Sequence, residues 1–289
     1  MLTHRLLFGT LMTVLFAGLI VFDGWLDGSL TASAADSNVQ GTIFCILIGL
    51  LVIPALLEFA RLAAARKIRI FLPVALPACI VLATYWYWQQ FVDISPQVQL
   101  FLFSAFLLFA LLLSQYLYYG TSGTLANCGA NYFCIIYLGL LSSFCLGIRI
   151  DFGLWWLFLY VFTVKCADIG AYTVGSLLGK HKFVPRISPN KTWEGMAGAV
   201  AGAMIAAICL GVSCDIMDWP VAAVFGLCFA FVGQGGDLAE SMIKRDAEQK
   251  DSVSGDSVGI PGYGGVLDVI DSPLFAAPFA YVFFMFCSR

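Results

Sequence analysis

Long apolar runs broken by short polar stretches recur along the whole chain. Their nearly continuous apolar character predicts helices rather than the alternating strands of a membrane barrel. Windows able to cross about 30 Å of hydrocarbon, roughly 20 residues each, fall near residues 6–22, 41–57, 70–88, 98–118, 132–148, 152–174, 195–213, 219–235 and 273–287. The expected fold is therefore all-α, a polytopic transmembrane helical bundle of about nine spans. Residues 1–150 hold spans one to five, and residues 151–289 form a second half with loops at 178–194 and 236–272. The first run also resembles a secretory signal, with His4 and Arg5 ahead of it and "ASA" at 32–34. That site lies too far beyond a long apolar run, so a retained span is expected.

Composition strengthens this picture, because 61% hydrophobic and 11% charged residues in a chain of 289 fall far outside the range of soluble globular domains. Charge then sets an orientation. All Lys and Arg residues except Arg149, Lys165 and Arg289 lie at one set of span ends: Arg5, then Arg61 to Arg69, Lys180 to Lys191, and Lys244 to Lys250. Asp23, Asp27, Asp36, Asp93, Asp151, Asp215 and Asp218 gather at the other set. Basic loops mark the cytoplasmic side, so the amino terminus is expected to be cytoplasmic and the carboxyl terminus external. The 7 Trp residues lie at or near span ends, as an interfacial belt requires. The 10 Cys residues show no zinc spacing and fall mostly within spans, where thiols act as small hydrophobes.

Three polar constellations break the apolar pattern, each on the side expected to be cytoplasmic. In "VKCADIGAYTVG", Lys165, Asp168 and Tyr172 share a helix face by their i, i+3, i+7 spacing. A charge inside a span usually marks a paired, functional site, although an ion pair that only stabilises the bundle has the same appearance. In "GKHKFVPRISPNKTWEG", Lys180, Lys182, Arg186 and Lys191 lie on a proline-stiffened loop. Such a cluster suits a phosphate-bearing ligand, and a topology-setting loop looks similar.

The third constellation begins at "GQGGDLAESMIKR", where Gly235 and Gly236 are expected to loosen the end of span eight. On a continuing helix, Asp237, Glu240, Ser241 and Lys244 form one polar stripe. Further on, Asp268 and Asp271 follow a glycine pair, and Ser272-Pro273 reads as an N-cap with a first-turn proline. Acids on two elements can converge on hard divalent cations, and no His or Cys favours zinc here. A solvated loop of mixed charge is the bland reading.

At this point the residues carry a family resemblance. "SMIKRDAEQKD" at 241–251 and "IPGYGGVLDVID" at 260–271 resemble the signature of phosphatidate cytidylyltransferases. "DIGAYTVGSLLGKHKFVPRISPNKTWEG" from residue 168 is similar to that family's upstream segment. The resemblance is dense over 168–272 and implies transfer of a cytidylyl group from CTP to phosphatidic acid in the bilayer, giving CDP-diacylglycerol and pyrophosphate. It also implies that Asp237 and Asp268 bind Mg²⁺, with Asp251 and Asp271 as outer or additional ligands and K⁺ as a candidate companion ion.

The expected catalytic set is Asp237, Asp268, Lys244, Lys250 and Asp251. Lys180, Arg186, Lys191, Lys244, Arg245 and Lys250 are candidates for the phosphates of nucleotide and lipid. Ser188, Thr192 and Ser241 are grouped with the substrate-binding residues, and Lys165 with Asp168 is expected to line the polar end of the headgroup cavity. No nucleic-acid partner is expected, and a homodimer is a candidate assembly. Short loops make a bacterial inner membrane the expected location.

Three positions depart from the family pattern. Tyr263 replaces a His, Val269 replaces an Arg, and "SVSGDSVG" lengthens the loop by about four residues, a Gly/Ser-rich insertion of flexible composition; within it Asp256 reads as a solvated acid. Two rivals stand beside the cytidylyltransferase reading. A CTP-dependent polyprenol or phytol kinase would use similar phosphate chemistry but would need a base for the lipid hydroxyl. A secondary transporter would place its charges near the bilayer midplane, whereas here they gather at span ends.

Overall fold

The computed structural model describes residues 2–28, 39–249 and 265–288, with side chains of the first helix described from residue 14. Lys250, Asp251, Asp256, Tyr263 and the 252–259 stretch lie outside the described residues. The helices are α1 Leu2–Leu26, α2 Thr42–Ala65, α3 Leu72–Ala83, α4 Tyr85–Gln89, α5 Pro96–Tyr119, α6 Thr124–Cys134, α7 Leu141–Gly147, α8 Leu154–Leu178, α9 Trp193–Ser213, α10 Trp219–Asp246 and α11 Leu267–Cys287. Short π-helical segments, Ile135–Leu140 and Ile148–Phe152, flank α7 and join it to α6 in one apolar rod. A small antiparallel hairpin, β1 Lys182–Val184 and β2 Ser188–Thr192, precedes α9.

Each predicted span falls on a helix, and among the described residues 7 helices are long and apolar enough to cross a membrane. The protein is an all-α polytopic membrane protein. Span three is the exception in length. Pro73 and Pro77 open and interrupt α3, and the helix breaks at Thr84, so the expected run of 70–88 becomes α3 and the short α4. Two boundaries also differ from expectation. α10 continues through Gly235–Gly236 to Asp246, and α11 begins at Leu267, which places Ser272-Pro273 inside a helix rather than at its cap. The loop expected over 236–272 is therefore helical over 236–246 and 267–272, while residues 250–264 lie outside the described residues.

The chain forms two compact units, Met1–Leu146 with Ala247–Leu267, and Gly147–Asp246 with Asp268–Arg289. In the first unit, polar side chains satisfy backbone groups that apolar surroundings would otherwise leave unpaired. Asp23 Oδ1 accepts the N–H groups of Ile43 and Phe44, supplying the start of α2 with the cap that Gly41 cannot provide. Asn131 accepts from the Phe71 N–H at 2.7 Å and donates to Arg69 O at 2.8 Å, fastening the turn between α2 and α3. Glu58, buried on α2, accepts the N–H groups of Val266 and Leu267 at 2.8 and 2.9 Å.

In the second unit, α8 and α9 meet along a seam of glycine. A Cβ built on Gly170 would lie 2.2 Å from Gly198 O, and one on Gly198 would lie 2.4 Å from Gly170 O. Gly202 stands against Cys166 O in the same manner. Small residues at this spacing let helix backbones touch in a membrane, where apolar burial alone gives little preference for one packing over another. Gly226 performs the same service between α10 and α9, against Met204 Cα. Ala167, Ala199, Ala203 and Ala230 fill the core between these helices.

Gly198→Ala is therefore expected to destabilise the protein by about 1–3 kcal/mol through overpacking. Gly49→Ala, where a Cβ meets nothing within 4 Å, should be neutral or slightly stabilising by helix propensity. Thermal unfolding in detergent measures both, and equal midpoints for the two variants would contradict the seam.

Candidate active site

The sequence forces an unusual density of charge onto four segments of the second unit. α8 carries Lys165 and Asp168 three residues apart, so they share a face, and Lys165 Nζ lies 3.4 Å from Asp168 Oδ2. β2 carries Lys191. α10 carries Gln234, Asp237, Glu240 and Lys244 on one stripe, and α11 carries Asp268 and Asp271.

The hairpin places Lys191. Lys182 pairs with Thr192 and Val184 with Ser188 across its two strands. Thr192 is the N-cap of α9, its Oγ1 accepting the Gly195 N–H at 3.1 Å, so its buried hydroxyl serves the helix end. Glu194 accepts the N–H groups of Lys180 and His181 and meets His181 Nδ1 at 2.6 Å. The chain is thus pinned at both ends of the hairpin, and Lys191 points to α10. Its Nζ donates to Asp237 Oδ2 at 2.9 Å and to Gln234 O at 3.4 Å. Arg245 Nε donates to Ile187 O at 3.3 Å, tying the hairpin turn to the end of α10.

Asp237 is the junction of three elements, because Ser272 Oγ of α11 donates to its Oδ1. The approach of α11 depends on Gly236, where a Cβ would lie 2.9 Å from Ser272 Cα and 3.0 Å from Asp271 O. The glycine pair that reads as a helix end in the sequence is instead the contact surface for α11. Gln234 Nε2 donates to Asp168 Oδ1 at 3.3 Å, linking α10 to α8. Asp271, 4% exposed, accepts the Ser272 N–H at 2.7 Å and lies in the electrostatic field of Asp237, Lys165 and Asp168.

About two turns beyond Asp237 on α10, Lys244 Nζ lies 2.7 Å from Glu240 Oε2 and 3.2 Å from Asp268 Oδ1. At 28 residues, α10 is about 42 Å long by its rise per residue, longer than the hydrocarbon is thick. Its last turns, with Lys244 and Arg245, extend toward a membrane interface, and both cations suit the negative end of the helix dipole.

The expected site residues divide accordingly. Lys165, Asp168, Lys191, Asp237, Asp271, Lys244 and Asp268 are drawn into two linked groups of contacts. Lys180 and Arg186 are exposed on the hairpin side, and Ser188 and Ser241 are half-buried. Lys250 and Asp251 lie outside the described residues. Gln234, Glu240 and Ser272 were not among the expected site residues. The first two carry a usable signal, a polar side chain on the same stripe as Asp237 within a span. Ser272 carries a cap signal that points elsewhere.

The donor set bears on Mg²⁺. Among the described residues, Asp168, Asp237, Glu240, Asp268 and Asp271 are grouped with Lys165, Lys191 and Lys244, so within this described set, with every group ionised, the acids exceed the amines by two charges. Buried carboxylates in excess are balanced by protonation or by further cations. Carboxylate oxygens are the ligands that Mg²⁺ and K⁺ prefer. Among the described residues no three His, Cys, Asp or Glu side chains already converge on a metal position, and Lys191 and Lys244 occupy oxygens of Asp237 and Asp268. By donor type and charge the residues fit a hard cation, whose ligation would compete with those two amines.

A polytopic helical membrane protein with a buried acid–amine cluster where α8, β2, α10 and α11 meet is the class this architecture defines. The chain belongs to the cytidylyltransferase family, whose model matches residues 4–287. It is similar to the phosphatidate cytidylyltransferase of Bacillus subtilis (strain 168), at 39% identity over 149 residues, 50% of this chain and 54% of that protein. The phosphatidate cytidylyltransferase of Haemophilus influenzae is 43% identical over 136 residues, 45% of this chain and 46% of that one. That of Mycobacterium bovis is 34% identical over 161 residues, 55% and 51% respectively. The chain spans about half the length of the curated relatives it matches.

Lys244→Met would leave Glu240 and Asp268 without their shared cation. A loss of about 3 kcal/mol is expected, as for a broken buried pair, and Glu240→Gln added to it should recover at least half. Chemical unfolding of the variants in mixed micelles measures this, and an unchanged stability for Lys244→Met would refute the charge-balance role.

Proposed function

We propose that the protein transfers the cytidylyl group of CTP to phosphatidic acid, giving CDP-diacylglycerol and pyrophosphate, at the cytoplasmic face of a bacterial inner membrane. The observation that carries this reading is the three-way junction at Asp237, held by Lys191 and Ser272 in a chain of the cytidylyltransferase family. The names of the relatives support the choice of substrates, and the basic loops support the orientation.

The chemistry asks little of a general base. The second ionisation of a phosphate monoester lies near pH 6, so the lipid phosphate is largely a dianion at neutral pH. Its oxygen forms a bond to the α-phosphorus of CTP as the bond from that phosphorus to the bridging oxygen of the β-phosphate breaks, and pyrophosphate leaves with the electron pair. The protein must hold the two anions in line and offset their charge. Lys191, Lys244 and Arg245, with Lys180 and Arg186 on the hairpin side and Lys250 in the following loop, bind phosphate oxygens in this scheme. Ser188, Thr192 and Ser241 complete the polar wall, and Lys165 with Asp168 lies at the headgroup end.

Asp237, Asp268 and Asp271, with Asp251, would hold Mg²⁺, with K⁺ as a candidate companion. Bound there, Mg²⁺ would neutralise the triphosphate and the departing pyrophosphate. Lys191 and Lys244, released from Asp237 and Asp268 by that exchange, would become available to the anionic substrates. A homodimer is the candidate assembly.

Asp237→Asn and Asp268→Asn should each abolish Mg²⁺-dependent pyrophosphate release from CTP plus phosphatidate while the protein remains folded; near-normal turnover in either overturns the metal role. Product analysis of the unaltered protein should give CDP-lipid and pyrophosphate. Lipid phosphate with CDP would instead identify a lipid-alcohol kinase.

A further inference from the structure

α11 contains a proline where the site most needs a regular helix. Pro273 lies inside the helix, directly after Asp271 and Ser272 and five residues after Asp268. Proline has no N–H, so the carbonyl four residues earlier loses its helical donor. That carbonyl belongs to Val269. In apolar surroundings a carbonyl without a donor is costly, and an open turn leaves the residues around it poorly fixed.

α8 supplies what Pro273 withholds. Lys165 Nζ donates to Val269 O at 2.9 Å, closer than its 3.4 Å contact with Asp168. Five residues earlier on the same helix, Tyr160, fully buried, donates its hydroxyl hydrogen to Pro273 O. Two α8 side chains therefore grip two carbonyls on either side of the opened turn, and the acids of α11 lie on or beside the gripped backbone. A lysine within a span is expensive unless it finds an acceptor; here the amine and the orphaned carbonyl satisfy one another.

We propose that Lys165 is a positioning residue, replacing the backbone hydrogen bond that Pro273 removes and thereby fixing Asp268, Asp271 and Ser272 against Asp237. This differs from the expectation that Lys165 touches the lipid headgroup. A ligand-binding lysine would be indifferent to the residue at 273. A positioning lysine loses that part of its role once residue 273 has an N–H, and keeps only its pairing with Asp168.

The proposal rests on the cytidylyltransferase reading for its kinetic arm alone, and a thermodynamic cycle tests it. Full-length wild type, Lys165→Met, Pro273→Ala and the double variant are purified in detergent, and each is assayed for CTP- and phosphatidate-dependent pyrophosphate release and for its unfolding midpoint. Lys165→Met should lower kcat about a hundredfold, the scale of a displacement of about 1 Å at a reacting centre, with little change in KM for CTP. Pro273→Ala restores an N–H to Val269 O and should stay within about threefold of wild type. In that background Lys165→Met should cost less than about tenfold, a coupling of the kind expected for groups sharing one interaction.

The same hundredfold loss in both backgrounds would overturn the proposal and return Lys165 to the ligand or to Asp168. Should Lys165→Met fail to accumulate, Pro273→Ala must restore the yield of folded protein, and failure to do so also overturns it. If wild type shows no transfer from CTP to phosphatidate, the functional reading fails while the midpoints still decide: Lys165→Met must lower the midpoint clearly more with Pro273 present than in the Pro273→Ala background, where only its pairing with Asp168 is lost; equal losses in both overturn the proposal.

Discussion

Charge kept from water must be balanced by its neighbours, and the second unit is organised around that requirement. A carboxylate among helices costs several kcal/mol unless a cation or a hydrogen-bond donor faces it. Asp237 has Lys191 and Ser272, Asp168 has Lys165 and Gln234, and Asp268 has Lys244. Each amine serves more than one oxygen: Lys165 serves Asp168 and Val269 O, Lys191 serves Asp237 and Gln234 O, and Lys244 serves Glu240 and Asp268. Among the described residues the amines are still outnumbered by the acids. That excess is what motivates the proposal of a hard cation here.

Such a cluster can form only where backbones come close, and the closeness has a residue-level cause. Gly170 and Gly198 let α8 and α9 touch, and Gly236 lets α11 lie against α10. A side chain at Gly236 would push Ser272 away from Asp237. The helix ends show the same economy of polar groups: Thr192 caps α9 while the adjacent Lys191 projects to α10, so one short hairpin both starts a helix and delivers a cation.

The spans were legible in the sequence because hydropathy is a local property, and every apolar window lands on a helix. The polar stripe from Asp237 to Lys244 was legible for a similar reason, since its spacing is helical. Local signals misled where tertiary contacts overrode them. Gly235–Gly236 reads as a helix end, yet α10 continues through it, and α11 packs against Gly236. Ser272-Pro273 reads as a helix start, yet α11 begins earlier at Leu267, with Lys165 donating to the Val269 carbonyl beside the proline. The pairings of Lys191 with Asp237 and of Lys244 with Asp268 join segments 46 and 24 residues apart, and no periodicity encodes them. Glu58 carries no signal of its role, because the second apolar window, 41–57, ends one residue before it.

Family membership, an excess of acids among the described residues and close backbone contacts all motivate the proposal that the acids around Asp237 hold a cation for nucleotide chemistry. Electron paramagnetic resonance of Mn²⁺ titrated into the full-length protein in detergent, with and without CTP, tests that claim most directly. The account predicts a bound Mn²⁺ signal that CTP strengthens and that Asp237→Asn removes. Identical Mn²⁺ binding by the unaltered protein and by Asp237→Asn would contradict it.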